Sequence, residues 1–565
     1  MSSIDWIVLL LTLTSIVAYG TWKTRKNASL ASYLKGNNED NWYTIGLSIM
    51  ATQASAITFL SATGQGFESG MGFVQFYFGL PLAMIFISVF FLPIYYKLKV
   101  YTAYEFLENR FDYRVRAFTA FLFLVSRGLA AGITIYAPAI ILSSLFSWDL
   151  KLTCVGIGLL VIIYTVSGGS RAVSLTQKWQ MALIMTGMFI AFYYILEAIP
   201  DTFSFKESVD VAGELGKMNI VNFNFDITEK YNIWAGLTGG FFLFVSYFGT
   251  DQSQVQRYLG GKSLRESRLG LMFNGIFKIP MQFFIVFVGV MLFVAYQFNK
   301  PPVIFNDAGI KKEILQDAQL LSFEKQFEET FDSKKEKLVQ YNNSKKEVYL
   351  NEAKNLNAEQ KDIRQKYKDR LSELDKDYND KDTDYVFLTF VLNYLPNGLI
   401  GLLLAVILSA AMSSTAGELN ALASTTTVDF YQKYISKNLE KASKNEVRTS
   451  KFITVIWGSL AIIVALVAGL FENLIELVNI LGSLFYGTIL GIFLVAFFFK
   501  KIKATPIFIA GIIAQLTILS LFTSTKLLDD FKIGYLWYNL IGSVLVIVLS
   551  IIFNQLITKE KQKSI

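Results

Sequence analysis

Thirteen mostly apolar runs, most close to the twenty residues a helix needs to cross a bilayer, limit what this chain can fold into. They fall at roughly 4–22, 43–67, 71–96, 118–146, 151–168, 173–197, 234–250, 270–297, 385–412, 452–470, 474–499, 506–523 and 534–556. Lipid offers backbone groups no hydrogen bonds, and a helix satisfies its own. The expected class is therefore an all-α integral membrane protein. Only 17% of the 565 residues are charged, and these concentrate in a hydrophilic insert at 300–384.

Several kinds of chemistry are excluded at once. The chain has no His, which removes Ser-His-Asp and Cys-His catalysis, His-ligated metals and His proton relays. Its one cysteine, Cys154, lies inside an apolar run, so no intrachain disulfide or cysteine metal cluster can form. An enzyme is not expected. The net charge of +7 calls for no nucleic acid, because the surplus Lys and Arg sit in short loops, as the positive-inside rule requires.

Those loops set an orientation. Lys23/Arg25/Lys26, Lys97/Lys99/Arg110/Arg114/Arg116, Arg171, Arg257/Lys262/Arg265/Arg268, Lys433/Lys437/Lys441/Lys444/Arg448, Lys500/Lys501/Lys503 and Lys559/Lys561/Lys563 mark one side, while 198–232 is acidic. The N-terminus is expected outside and the C-terminus inside. The first span reads as retained, since its basic residues follow the apolar run rather than precede it. The insert falls outside and reads as a charged helical hairpin broken near Asn342–Asn343, from Glu/Lys pairs at helical spacing. Either it is a tolerated surface insertion or it docks a partner.

Two spans are poor ordinary helices. Span 43–67 carries ATQASAITFLSATGQG, and span 234–250 begins WAGLTGGFF and ends VSYFGTDQ. Small and polar residues at bilayer depth either permit close helix packing or mark broken helices whose freed carbonyls can hold a cation. Each span opens a block of five, and matched interruptions in two halves point to a transporter site. In LLLAVILSAAMSSTAGELNALAS, Ala410, Ser413 and Ser414 share one helical face. That face offers oxygen ligands to a monovalent cation, although membrane serines often bond the i−4 carbonyl instead.

Five stretches together resemble the sodium:solute symporter family: SAITFL, YTAYEFLENRFDYRVRAF, SGGSRAVSLTQ, TDQSQVQRYLGGKSLRESR and LSAAMSSTAGELNALASTTTVDFY. The resemblance covers roughly 40–500 apart from the insert. It implies a LeuT-type five-plus-five inverted repeat of about 13 transmembrane helices, one extra at the N-terminus and two at the C-terminus. The implied segments are 1–42 (first helix and basic loop), 43–197 (first repeat), 198–233 (outer loop), 234–499 (second repeat, interrupted by the insert) and 500–565 (last two helices and tail).

By the same resemblance a sodium ion would take the carbonyls of Ala51, Ala54 and Ala410 and the hydroxyls of Ser413 and Ser414. A scarcity of intramembrane carboxylates argues separately against proton coupling. Gln177 departs from the family by replacing an acidic residue linked to a second sodium. Phe244 and Tyr77 replace polar groups of the sugar branch, while its gating tyrosine is matched by Tyr247. The resemblance is nearer the branch carrying sialic acid, monocarboxylates and vitamins, which makes Gln53, Ser55 and Thr58 solute-facing candidates.

Arg127 lies within an apolar span, where it either clamps a substrate carboxylate or pairs with Glu418 or helix carbonyls. Lys278 resembles a lysine that the sugar branch has near its pocket; the alternative is that it packs or snorkels. The expected activity is sodium-coupled import of a small organic solute, an organic anion among the possibilities, across the inner or plasma membrane of a bacterium. The alternative is a sodium-independent carrier or a solute sensor.

Overall fold

The computed structural model describes residues 2–24, 40–98, 100–146, 148–306, 313–376, 382–434, 442–467, 474–528 and 532–563, with positions 310 and 380. Lys99 and the loop residues Arg25, Lys26, Lys437 and Lys441 lie outside them. The described residues are helical apart from loops and one isolated parallel bridge between Asp40 and Gly261. Nine of their helical segments are long and apolar enough to cross a membrane, and three shorter apolar helices, Ser3–Ile16, Leu150–Val166 and Ala235–Thr250, fall on expected spans. The chain is a multi-pass membrane protein.

The first helix, α1, is Ser3–Thr24. Span 43–67 is two helices, α2 (Trp42–Gln53) and α3 (Ala56–Ser69), separated at Ala54 (φ −83, ψ 65) and Ser55 (φ −82, ψ 176). Next come α4 (Leu80–Phe86), α5 (Tyr113–Phe146) and α6 (Leu150–Glu197). The second polar span opens with a π-helical turn, Ala235–Gly239, and continues as α7 (Gly240–Thr250). At Asp251 the backbone extends (φ −78, ψ 119) before α8 (Gln252–Leu259) begins. This break falls just past the expected span, because the Asp251 side chain caps α8 by accepting from the Ser253 N–H at 2.8 Å, as a short carboxylate does at a helix start.

Besides shorter helices such as Leu92–Leu98, Glu105–Arg110 and Phe205–Glu214, there follow α9 (Leu264–Phe298), α10 (Ala318–Ser344), α11 (Glu347–Leu374), α12 (Val386–Tyr394), α13 (Leu399–Thr425), α14 (Ala442–Val467), α15 (Leu474–Phe498), α16 (Ala504–Leu527) and α17 (Trp537–Lys563). The insert is a hairpin of α10 and α11. Its turn is at Lys345 in the left-handed region (φ 53), just after the expected Asn342–Asn343.

Two boundaries differ from expectation. Span 385–412 is two helices, α12 and α13, because Pro396 ends the first and Gly398 (φ 90) turns the chain. Asp5 of α1 fixes that corner by accepting from the Gly398 and Gly401 N–H groups at 2.6 and 3.1 Å. The spans expected at 151–168 and 173–197 form one helical element, α6, since the glycines between them raise helix free energy by only about 1 kcal/mol each. Its first end adjoins Phe146, stacked on Trp6 at 4.8 Å, and beyond its last turn the Ala198 carbonyl accepts from Asn299 at 2.6 Å. The side of the fold on which Asn342 of the insert meets the Thr202 carbonyl is hereafter the hairpin face.

The broken pair α2–α3 packs against α6, α9 and α13. Its contact with α9 is backbone on backbone: a Cβ on Gly289 would stand 2.0 Å from the Thr63 carbonyl oxygen. We expect Gly289→Ala to lower the detergent melting temperature, with overpacking costing about 1–3 kcal/mol. Gly156→Ala, which meets nothing within 4 Å, should leave it unchanged or raise it. Equal melting of the two variants would count against this packing.

Candidate functional site

Between the two breaks lies a cavity of about 100 Å³. All seven candidate solute residues line it: Gln53, Ser55 and Thr58 from the first break, Tyr77, Arg127, and Phe244 with Tyr247 from α7. One wall is aromatic. Phe244 stacks on Tyr77 at 5.8 Å, and Tyr247 stacks on Tyr486 at 6.0 Å. The opposite wall is polar and incompletely satisfied. Gln53 Oε1 and Asn479 Nδ2 are buried without a hydrogen-bond partner, each a desolvation cost that a ligand would offset.

Arg127 lines this cavity, but its guanidinium is committed. Nη1 donates to Glu418 Oε1 at 2.9 Å and Nε to Asp251 Oδ2 at 3.1 Å. Nη2 donates to Asp251 and to Tyr486, and the charge lies 5.2 Å from the Tyr247 ring centre. Glu418 also accepts from Thr134 at 3.2 Å. Pairing with Glu418 is therefore what the structure shows, and it corrects the reading of Arg127 as a free carboxylate clamp. A cation removed from water needs fixed counter-charges, and Asp251, just past the loop-side end of its span, supplies the second.

The expected scarcity of intramembrane carboxylates is also corrected. Asp251, Glu418 and Asp429 are all buried, so carboxylate counting carries no argument against proton coupling. Sequence reasoning passed over Asp251 as a loop residue. The signal was there in TDQS, where an Asp follows a run of Gly and Thr at the end of an apolar span.

A second buried cation, Lys278 of α9, stands apart from this network: it is 1% exposed and lines the same cavity. It has no hydrogen bond or ion pair among the described residues, and its ammonium lies 6.0 Å from the Tyr77 ring centre. Of the two open readings for Lys278, the structure gives the one that faces the pocket.

The candidate cation ligands lie on the first break and on the helix α13 packed against it. Ala51 and Ala54 sit where the intrahelical ladder of α2 is interrupted. Ala410, Ser413 and Ser414 lie on the middle turns of α13, which packs on both α2 and α3. Ser413 Oγ is buried without a hydrogen-bond partner among the described residues. Ser414 donates back to the Ala410 and Ala411 carbonyls at 3.0 and 3.1 Å. That bond uses its hydrogen and leaves oxygen lone pairs free. Gln177 ties α6 to α2 by accepting from Ser48 at 2.6 Å and donating to Thr52 at 3.1 Å. A carboxylate at 177 could not make the second bond.

Comparisons with known proteins agree with this architecture. The sodium/sialic acid symporter NanT of Aliivibrio fischeri is 24% identical over 97% of this chain and 92% of its own length. Human sodium-coupled monocarboxylate transporter 1 is 31% identical over 47% of this chain and 43% of that protein. The human sodium/iodide cotransporter is 28% identical over 45% and 39%; these last two alignments span less than half of either relative. Among solved structures, the substrate-bound outward-open state of a Na+-coupled sialic acid symporter superposes with a TM-score of 0.75 at 22% identity, covering 98% of each chain. It shares the fold. The model of the sodium:solute symporter family matches residues 33–314 and 377–514, and the chain therefore belongs to that family of transporters rather than to any class of enzyme.

Proposed function

We propose that this chain is a sodium-coupled symporter for a small organic anion. The observation that carries the sodium half is Ser413. Its hydroxyl is desolvated and unpartnered among the described residues on a helix that packs on both halves of the first break, a cost of about 1–3 kcal/mol that an oxygen-seeking cation would offset. Sodium would bridge Ala51 and Ala54 of the break to Ala410, Ser413 and Ser414 of α13. Occupancy would favour whichever conformation holds those oxygens together, by as much as the ion's affinities for the two states differ.

The solute half rests on Lys278. With Arg127 paired to two carboxylates, Lys278 is the cavity's uncommitted cation, and a carboxylate there would satisfy it while Gln53, Ser55, Thr58 and Asn479 bind the remaining polar groups. Two relatives are named for acids, sialic acid and monocarboxylates, which supports an anion. The small cavity favours a compact one. Tyr77, Phe244 and Tyr247 would cover its apolar side. The proposed topology keeps the expected segments, with 43–197 and 234–499 as inverted repeats that rock about the site, the hairpin face outside and the C-terminus in the cytoplasm. A sodium-independent carrier or sensor on the same core is not favoured.

Sodium should raise the melting temperature of the purified protein in choline buffer. At a hundredfold excess over Kd the stabilisation is about 2.7 kcal/mol. Ser413→Ala should fold and lose that response. A sodium response undiminished in Ser413→Ala would refute the ligand assignment, and no response in the wild type would refute the coupling.

Lys278→Met should cut sodium-driven uptake of short carboxylic acids into proteoliposomes. Losing one charge-assisted hydrogen bond of about 1.5–3 kcal/mol corresponds to about a 10- to 100-fold higher half-saturation. Unaltered half-saturation in this variant would remove Lys278 from the solute site.

A further inference from the structure

A second, larger cavity of about 910 Å³ opens on the hairpin face. The insert builds one of its walls: Phe327 and Lys334 of α10, and Asn357, Gln360, Lys361 and Arg364 of α11, line it. Across the space stand Lys217 of the 198–233 loop and Gln297 of α9. The hairpin is anchored there rather than hung from its ends. Asn342 donates to the Thr202 carbonyl at 3.0 Å, Lys345 pairs with Glu207 at 3.1 Å, and Lys354 pairs with Glu214 at 3.0 Å. Phe305 donates its N–H to Asp382 at 2.8 Å, tying the two roots of the insert together.

The cations of this cavity are unusual for their burial. Lys334 is 2% and Lys217 6% exposed, and neither makes an ion pair within 4 Å among the described residues, although the Glu68 carboxylate near Lys217 favours its charge. Lys334 donates to the amide oxygen of Gln360 and, at 3.4 Å, to that of Asn357; Lys217 donates to the Glu68 carbonyl. Arg364 is held between the Phe305 and Phe327 rings, 4.9 and 5.7 Å from their centres. The other basic groups are neutralised, Lys230 by Glu476 at 2.5 Å and Lys368 by Asp382 at 2.6 Å. The further lining carboxylates Glu68 and Glu229 are exposed and screened by solvent, and Asp380 is half-buried.

Burial, reinforced by Arg364 and Lys361, pushes the Lys334 ammonium down to about 7. Burial and Lys361 push Lys217 down to about 8. Beside Lys334, Gln360 Nε2 is a buried donor with no partner. Two desolvated ammoniums, a third on the rim and an orphaned N–H converge on one space, beside the Arg364 guanidinium, which also donates to the Pro302 carbonyl at 3.0 Å.

We propose that the hairpin converts this cavity into an anion-holding antechamber, in which a carboxylate- or phosphate-bearing solute binds Lys334, Gln360 and Arg364 on the hairpin wall and Lys217 opposite. The site is separate from the central cavity and from Lys278. It rests on the proposed function only in taking the antechamber's occupant to be the transported anion. On that reading the insert is a roof over the entrance that concentrates solute ahead of the aromatic wall at Tyr77.

The test is the melting temperature of the full-length protein in sodium-free choline buffer, titrated separately with lactate and inorganic phosphate. Lys278→Met, which disables the central site, should keep a saturable anion-induced rise, and adding Lys334→Met or Lys361→Gln should abolish or sharply reduce it. Lys361 is exposed, so its variant folds. Lys334→Met removes a buried charge and should raise the basal melting temperature at pH 7 even as the anion response disappears.

The response should be larger at pH 6, where Lys334 and Lys217 carry protons, than at pH 9, where both have lost them. A response to lactate with none to phosphate assigns the site to a carboxylate solute, and a response to both assigns it to oxyanions generally. Loss of the whole anion response in Lys278→Met alone would overturn the antechamber while leaving the central solute site intact. No response to either anion in the wild type or any variant would overturn it as well. An unchanged response in Lys334→Met and Lys361→Gln would place the anion elsewhere and overturn it too.

Discussion

The structure depends on where backbone hydrogen bonds are allowed to fail. In hydrocarbon an unpaired carbonyl or N–H costs several kilocalories per mole, so helix interruptions are confined to protein-lined interior. Here both principal breaks are buried in protein, and the first lines the central cavity. At Ala54 the N–H still reaches the Met50 carbonyl at 2.8 Å, and the Thr58 hydroxyl takes up the Gln53 carbonyl at 2.7 Å. At Asp251 the side chain caps the following helix. The carbonyls leading into this second break, of Phe248, Gly249 and Thr250, accept from the hydroxyls of Tyr258, Tyr95 and Tyr104, so side chains repair what the helix ladder gives up.

The same economy governs charge. Arg127 is buried because Asp251 and Glu418 are buried with it. Removing one member of this triad would leave an uncompensated charge, costing about 3–5 kcal/mol. The three come from different parts of the architecture: Arg127 from α5, Asp251 from the second break and Glu418 from α13. The network therefore joins the second break to the helix that carries Ser413, and a movement at either must be accommodated at the other.

Much of this was legible in the chain itself. Apolar runs of bilayer length gave the class, and Gly, Ser and Thr at bilayer depth marked both interruptions, because those residues satisfy backbone groups locally or leave them unsatisfied. The insert's Glu/Lys spacing gave its hairpin. What could not be read was whatever depends on distant residues meeting. Asp251 looked like a loop residue because its burial comes from Arg127, 124 positions away. The α12–α13 corner was hidden in an apolar run, although Pro396 and Gly398 stood in it. Neither of the two readings of Arg127 could be excluded until Asp251 was in place.

The short stretch from Ala51 to Thr58 has a further property. Its candidate ion ligands, Ala51 and Ala54, alternate with residues that line the solute cavity, Gln53, Ser55 and Thr58. In the proposed arrangement backbone oxygens of one segment hold the ion while its side chains wall the solute. Holding the carbonyls against α13 fixes the torsions at Ala54 and Ser55, and those same torsions aim the Gln53 and Ser55 side chains. No relay across the protein is required for one ligand to bias the other. A single interrupted turn has two geometries to satisfy, and satisfying the first lowers the entropy still to be lost in satisfying the second.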